Sequence, residues 1–269
     1  MKTYLTALFI LVSIFADAQP TGDIEKDTAL ANQYFESIHL SDDEDFGVSI
    51  QKIKKALELY EAHPFHPKLI EIKGAFLFYI KDSISTDSSY FITQEILNLA
   101  EKEGLSETHP ALRNAFLNKW FLARYDQPDL AIKYVKKALE CTQKSSNDYF
   151  YTAEILLKSY IANNRLAQAD TLINTLEKSL NKLQDKNFPL HQLMIYRGRM
   201  QYSMMTRNYE KSIIYGQKIL ADNKLHQKYN SKEVTEIYVE IGQSYGGLQQ
   251  FDKGIEAINK GLEHVWNRI

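Results

Sequence analysis

The sequence predicts an all-α protein of about six antiparallel helix pairs arranged as a stack. Three observations predict it. Gly and Pro number only 11 and 6 in 269 residues, while Lys, Glu, Leu, Ile, Ala and Tyr are abundant, a balance that favours helix. No stretch alternates apolar and polar residues between hairpin turns, so strands have no signal. Small residues recur at positions 49, 93, 131, 169, 212 and 254, spaced 38 to 44 apart, and each sits in an apolar pattern of helical period.

The amino-terminal residues stand outside this pattern. Lys2 is followed by an apolar run from Tyr4 to Phe15, then by Ala16-Asp17-Ala18 and Gln19-Pro20. A charged start, an apolar stretch and small residues at a cleavage site make a secretory signal over 1–18. The run is too short for a membrane-spanning helix, which needs about 20 residues. That argues against the alternative of an uncleaved anchor. No Cys follows the site, which argues against a lipoprotein. The expected location is exported and periplasmic, with cleavage near Ala18/Gln19.

The pairs are justified in chain order. The first is expected over 24–40 and 45–62, with Ser49-Ile50, Ile53 and Ala56-Leu57 following Phe46. The second, over 67–82 and 88–103, is set off by His63-Pro64-Phe65-His66-Pro67 and carries Thr93, Leu97 and Ala100 after Tyr90. The third spans 109–125 and 128–144. Pro128 stands at a helix start, where a missing N–H costs little, and Ala131-Ile132 and Ala138-Leu139 share a face.

The fourth pair, over 147–163 and 166–184, follows the polar stop Ser145-Ser146-Asn147-Asp148. Leu156-Leu157 and Tyr160 mark its first helix; Leu166, Ala169, Ile173 and Leu176 mark its second. The fifth, over 188–205 and 208–224, carries Tyr209, Ser212-Ile213 and Ile219-Leu220. The sixth, over 231–247 and 251–266, is the most regular. Gly242 and Gly254 are expected where its two helices cross, because a larger side chain there would lift ridges out of grooves. Gly261 is expected to admit a following helix, and Tyr245 and Phe251 to fill the turn end.

Tyr238, Ile241-Gly242, Tyr245, Phe251, Gly254, Ile258 and Gly261 fall, in order, on the pattern of the tetratricopeptide repeat (TPR), with Gly replacing Ala twice. The sequence resembles that family, whose module is about 34 residues long. The resemblance implies a right-handed α-solenoid over 19–269, with longer helices or loops to match the longer period. The fifth pair departs from the pattern, since Gly198 comes two residues early.

The resemblance also implies that the first helix of each pair lines a concave groove that holds a protein or an extended peptide. The candidate groove residues are Asn118, Arg124, Glu154, Lys158, Arg197, Gln201, Val239 and Gln243. Leu262, Val265 and Trp266 form a candidate carboxy-terminal docking surface, open to a partner or to a second copy in a homodimer. Exported arrays of this kind also resemble the amino-terminal halves of regulators from Bacteroidota-type bacteria. The alternative function is therefore the sensory part of a signalling or transcription-regulatory system.

Other chemistries find little support. The formal net charge is −2 with no basic stripe, which argues against nucleic acid. The acidic run Asp42 to Asp45 lacks the alternating ligands and the Gly of a calcium loop and reads as a helix cap. His63 and His66 have H-x-x-H spacing with no third ligand nearby, so no metal is expected. His109 reads as a turn residue, and His191 and His264 as solitary helix positions. The single cysteine, Cys141, excludes an intramolecular disulfide and reads as a buried packing thiol. No nucleotide loop, nucleophile elbow or metalloprotease motif is present, so neither a cofactor nor an enzyme is expected.

Overall fold

Polar residues at the expected breaks cap the helices that follow them. Ser85 Oγ accepts from the N–H of Ser88 at 3.1 Å, Ser146 Oγ from Tyr149 at 3.1 Å, and Asn208 Oδ1 from Lys211 at 3.3 Å. Each bond satisfies a donor that the first helical turn leaves without a partner. His109 does the same through Nδ1 for a short 3₁₀ turn, Pro110–Leu112.

The computed structural model describes residues 20–38, 46–62, 67–80, 85–144, 146–181, 188–222 and 231–266. The signal at 1–18, the acidic run 42–45 and the His63/His66 pair lie outside those residues. Among the described residues there are twelve α-helices and no strand. They are α1 (Ile24–Ile38), α2 (Phe46–Glu61), α3 (Pro67–Ile80), α4 (Thr86–Lys102), α5 (Arg113–Ala123) and α6 (Pro128–Glu140). Then come α7 (Asn147–Ala162), α8 (Leu166–Leu180), α9 (Phe188–Met205), α10 (Tyr209–Leu220), α11 (Ser231–Gly247) and α12 (Phe251–Trp266). The sixth pair matches its expected bounds at both helices. The third differs most: residues 110–112 form the 3₁₀ turn, and α6 stops at Glu140.

The chain divides into two compact units between Tyr125 and Asp126, a point inside the expected third pair. In the first unit α1 packs on α2, α2 on α3, and α3 on both α4 and α5. Gly74 of α3 allows the last contact, since a Cβ there would sit 3.0 Å from Asn114 Cβ. The core holds Tyr34, Phe35, Ile53, Leu59, Tyr60 and Ile72, and the Tyr60 hydroxyl donates to Asn32 Oδ1 at 2.8 Å. Burying one such aliphatic side chain contributes about 2 kcal/mol.

In the second unit each helix packs on the next, from α6 to α12, and α7 also packs on α9. Contacts confined to one helix pair and the pair beside it are those of a repeat stack. All six recurring small residues are buried: Ser49, Thr93, Ala131, Ala169, Ser212 and Gly254. Gly242 and Gly254 face one another across the α11–α12 crossing, as expected. Gly261 packs against α11. A Cβ there would lie 2.8 Å from Tyr238 Cβ on α11, so it serves the same crossing further along. Cys141 is buried at the end of α6.

The turns inside the fourth, fifth and sixth pairs share one geometry. Asn164, Arg207 and Gln249 have φ of 54°, 60° and 60°, each five residues before the small position. The next N–H reaches back to Tyr160, Ser203 and Tyr245 carbonyls at 2.8, 2.8 and 2.9 Å. This is a helix stop of Schellman type, made here without glycine.

Candidate binding surface

Six of the eight candidate groove residues lie in the second unit, on the first helices of consecutive pairs. Glu154 and Lys158 are on α7, Arg197 and Gln201 on α9, Val239 and Gln243 on α11. Spacing along each helix is four residues, so each pair shares a face. Lys158 Nζ is 3.0 Å from Glu154 Oε1, with the lysine exposed and the glutamate buried.

Arg197, a candidate groove residue, lies below the surface. Its residue is 6% exposed. Nη2 lies 2.9 Å from Glu240 Oε1 and 3.6 Å from Glu236 Oε2, and Nη1 donates to the Glu233 carbonyl at 3.5 Å. Gln201 Nε2 donates to the same Glu240 oxygen at 3.1 Å. Arg197 thus ties α9 to α11 from below the surface. A guanidinium this deep is retained only with a partner that balances its charge.

Glu240 is the member of this cluster that the sequence did not single out. Burial pushes its carboxyl above the ordinary glutamate range. The Arg197 guanidinium and the Gln201 amide oppose that rise, Glu236 adds to it, and the Lys158 charge also pulls down. Glu240 Oε2 is buried and has no hydrogen-bond partner. A signal for Glu240 existed. It follows Arg197 by 43 residues, about one repeat period, which is the separation at which side chains of successive first helices meet.

Beside this ion pair is a cavity of 680 Å³, lined by Met204, Lys232, Thr235, Glu236, Val239, Glu240 and Gln243. Its volume falls in the range of ligand-sized sites, about 300–1,000 Å³. Val239 is half-buried and Gln243 exposed. They offer an aliphatic wall and an amide that can donate and accept.

Asn118 and Arg124 lie in the first unit, on α5 and at its end. Asn118 is 0% exposed, and neither its Oδ1 nor its Nδ2 has a partner. It is a core residue and not part of an open face. Arg124 is half-buried, its guanidinium 3.8 Å from the Phe121 ring centre and 4.7 Å from that of Tyr125. Its charge rests on neighbouring aromatic faces. Leu262 is exposed on α12. The side chains of Val265 and Trp266 lie outside the described ones.

Among the described residues no helix is long and apolar enough to cross a membrane, and no group of three His, Cys, Asp or Glu could hold a metal.

No protein-family model matches the chain, and no curated protein does. Solved structures do match. One is BtubC (BKLC) from P. vanneervenii, with TM-score 0.59, 11% identity, 91% of this chain covered and 92% of that one. Another is a putative kinesin light chain from Podosopora anserina with nearly identical TPR-like repeats. Its TM-score is 0.54 and its identity 12%, covering 75% of this chain and 97% of that one. The fold is a TPR-like helical repeat. At these identities the likeness speaks for the fold, and the binding chemistry must come from this chain's own side chains.

Proposed function

We propose that this chain is an exported, non-enzymatic scaffold that binds a protein or an extended peptide along the first helices of its second unit. One observation carries the reading. Arg197 and Gln201 of α9 both meet Glu240 of α11, and Val239 and Gln243 of α11 border a ligand-sized cavity beside that contact. The Arg197–Glu240 pair gives that surface a rigid floor. Lys158, Gln243 and Val239 remain to meet a partner with charge, hydrogen bonding and apolar contact. The signal-like segment 1–18 supports a periplasmic setting.

The test is affinity capture from periplasmic extract with the mature chain and with a Lys158→Glu/Gln243→Lys double variant. Both positions are exposed, but Lys158 pairs with the buried Glu154, so the melting point of the double variant is checked first and Gln243→Lys alone serves as the test if the double variant melts early. The expected result is a partner retained by the parent and lost by the variant. A partner held equally by both, or none captured, would sink the reading.

A further inference from the structure

We propose that the apolar stripe on α12 is a docking site for an amphipathic helix of a partner protein. Phe251, Ile255, Ile258 and Leu262 are spaced four, three and four residues apart, which places them on one helical face. Phe251, Ile255 and Leu262 are 64%, 59% and 47% exposed, and Ile258 is half-buried. A contiguous exposed apolar stripe on a helix marks an interaction surface.

The same unit shows what covers this face elsewhere. In register with the small positions, α6 presents Pro128, Ile132, Val135 and Leu139, and α7 packs on it. There Ile132 and Val135 are 3% and 0% exposed, and Leu139 is half-buried. α10 presents Tyr209, Ile213, Gly216 and Leu220 in that register, and α11 packs on it. Gly216 lies under Ile241, and Tyr209 lies under Gly247. α8 presents Leu166, Asp170, Ile173 and Glu177, and α9 covers it. Arg199 of α9 is 2.9 Å from Asp170 and 2.7 Å from Glu177.

So α6, α8 and α10 each carry the next helix on this stripe, and the covering helix matches its chemistry. An arginine meets the carboxylates of α8, Ile241 meets Gly216 of α10, and the stripe of α6, the helix that packs against α7, is buried at Ile132 and Val135. The α12 stripe repeats the α6 version, with branched or aliphatic residues at all three shared positions and no carboxylate among them. It continues an interface type that the fold already uses three times. The occupant it fits is a helix like α7, aliphatic and aromatic along one face, without a basic residue where Arg199 stands on α9.

The probe is a fluorescein-labelled peptide of residues 147–162, the chain's own example of such a helix. Fluorescence anisotropy is read on the intact mature protein. Saturable binding is expected, weakened at least about tenfold by Ile255→Glu or Leu262→Glu. It is expected to be unchanged by Asp252→Lys, which lies off the stripe. Ile255 and Leu262 are exposed, so these variants should melt with the parent. Absence of binding, or binding indifferent to Ile255→Glu, overturns the proposal. A concentration-dependent dimer in sedimentation, abolished by Ile255→Glu, would assign the face to a second copy and also overturn it. Either failure leaves the groove reading intact, because Lys158 and Gln243 lie on other helices.

Discussion

Gly242 and Gly254 each occupy the space that the other's side chain would need. A Cβ on Gly242 would lie 2.9 Å from the Gly254 carbonyl oxygen, and one on Gly254 would lie 3.0 Å from that of Gly242. The obstruction is backbone, so it cannot rotate away. The α11–α12 crossing is set by this contact.

Gly242→Ala should therefore destabilise the protein by about 1–3 kcal/mol, since Ile258 also stands in the way. Gly246 provides the matched comparison on the same helix, because nothing lies within 4 Å of its missing Cβ. Gly246→Ala should stabilise by up to about 1 kcal/mol, through loss of unfolded-state freedom. Urea unfolding of both variants checks the pair. Equal effects would mean that the crossing is not close-packed.

The αL turns give a prediction of opposite sign. A non-glycine residue in the left-handed region costs roughly 1–2 kcal/mol, and Arg207 and Gln249 both stand there. Arg207→Gly and Gln249→Gly should each raise stability by about 0.5–1 kcal/mol after glycine's own entropy cost. Asn164→Gly should gain less, because Asn tolerates this conformation. Thermal unfolding of the three single variants ranks them.

Arg199 joins α9 to α8 with a forked contact. Its Nε donates to Glu177 Oε1 at 2.9 Å, and Nη2 donates to Glu177 Oε2 at 2.7 Å. Nη1 reaches Asp170 at 2.9 Å. Arg199→Ala should cost about 1–3 kcal/mol. Arg199→Lys should recover little of it, because an ammonium cannot make the two parallel bonds. Unfolding curves of both variants against the parent decide this, and full rescue by lysine would contradict it.

Glu240 predicts a pH dependence. Its folded pKa is raised, chiefly by burial, so the folded state holds this proton more tightly than the unfolded state does. Its contribution to stability is present below the unfolded value and is lost as pH rises through the folded one. The window opens near the ordinary glutamate value of 4.5 and extends upward. Glu240→Gln should remove that slope while keeping an acceptor for Arg197 and Gln201. Unfolding free energies of parent and variant, measured from about pH 4 to pH 7, should diverge in favour of the variant as pH rises. Parallel profiles would contradict the assignment.

Most helices were legible because their signals are local. Ser146, Pro128 and the apolar spacing of α12 act within one or two turns, so α7, α6 and α12 begin where expected. The end of α6 at Glu140 and the 3₁₀ turn before α5 carried weaker signals. The turn residues Arg207 and Gln249 carried none, since nothing in their chemistry asks for positive φ; the packing of flanking helices imposes it.

The surface was legible only in part. Spacing of four residues along α7, α9 and α11 puts each of the three pairs on one face, because a helix fixes its own directions. Depth was not countable. Asn118 and Arg197 share the polar character of exposed residues, yet both are buried, and Glu240 escaped notice because its partner is a repeat away.

By itself the sequence determined the helices, their period and the glycines at the last crossing, because these follow from local propensity and from the size of single side chains. Tertiary structure alone decided which polar groups go under the surface, which carboxylate Arg197 meets and which stripe stays open on α12. Those depend on distances between helices some forty residues apart in the chain, and such distances exist only once the pairs have stacked.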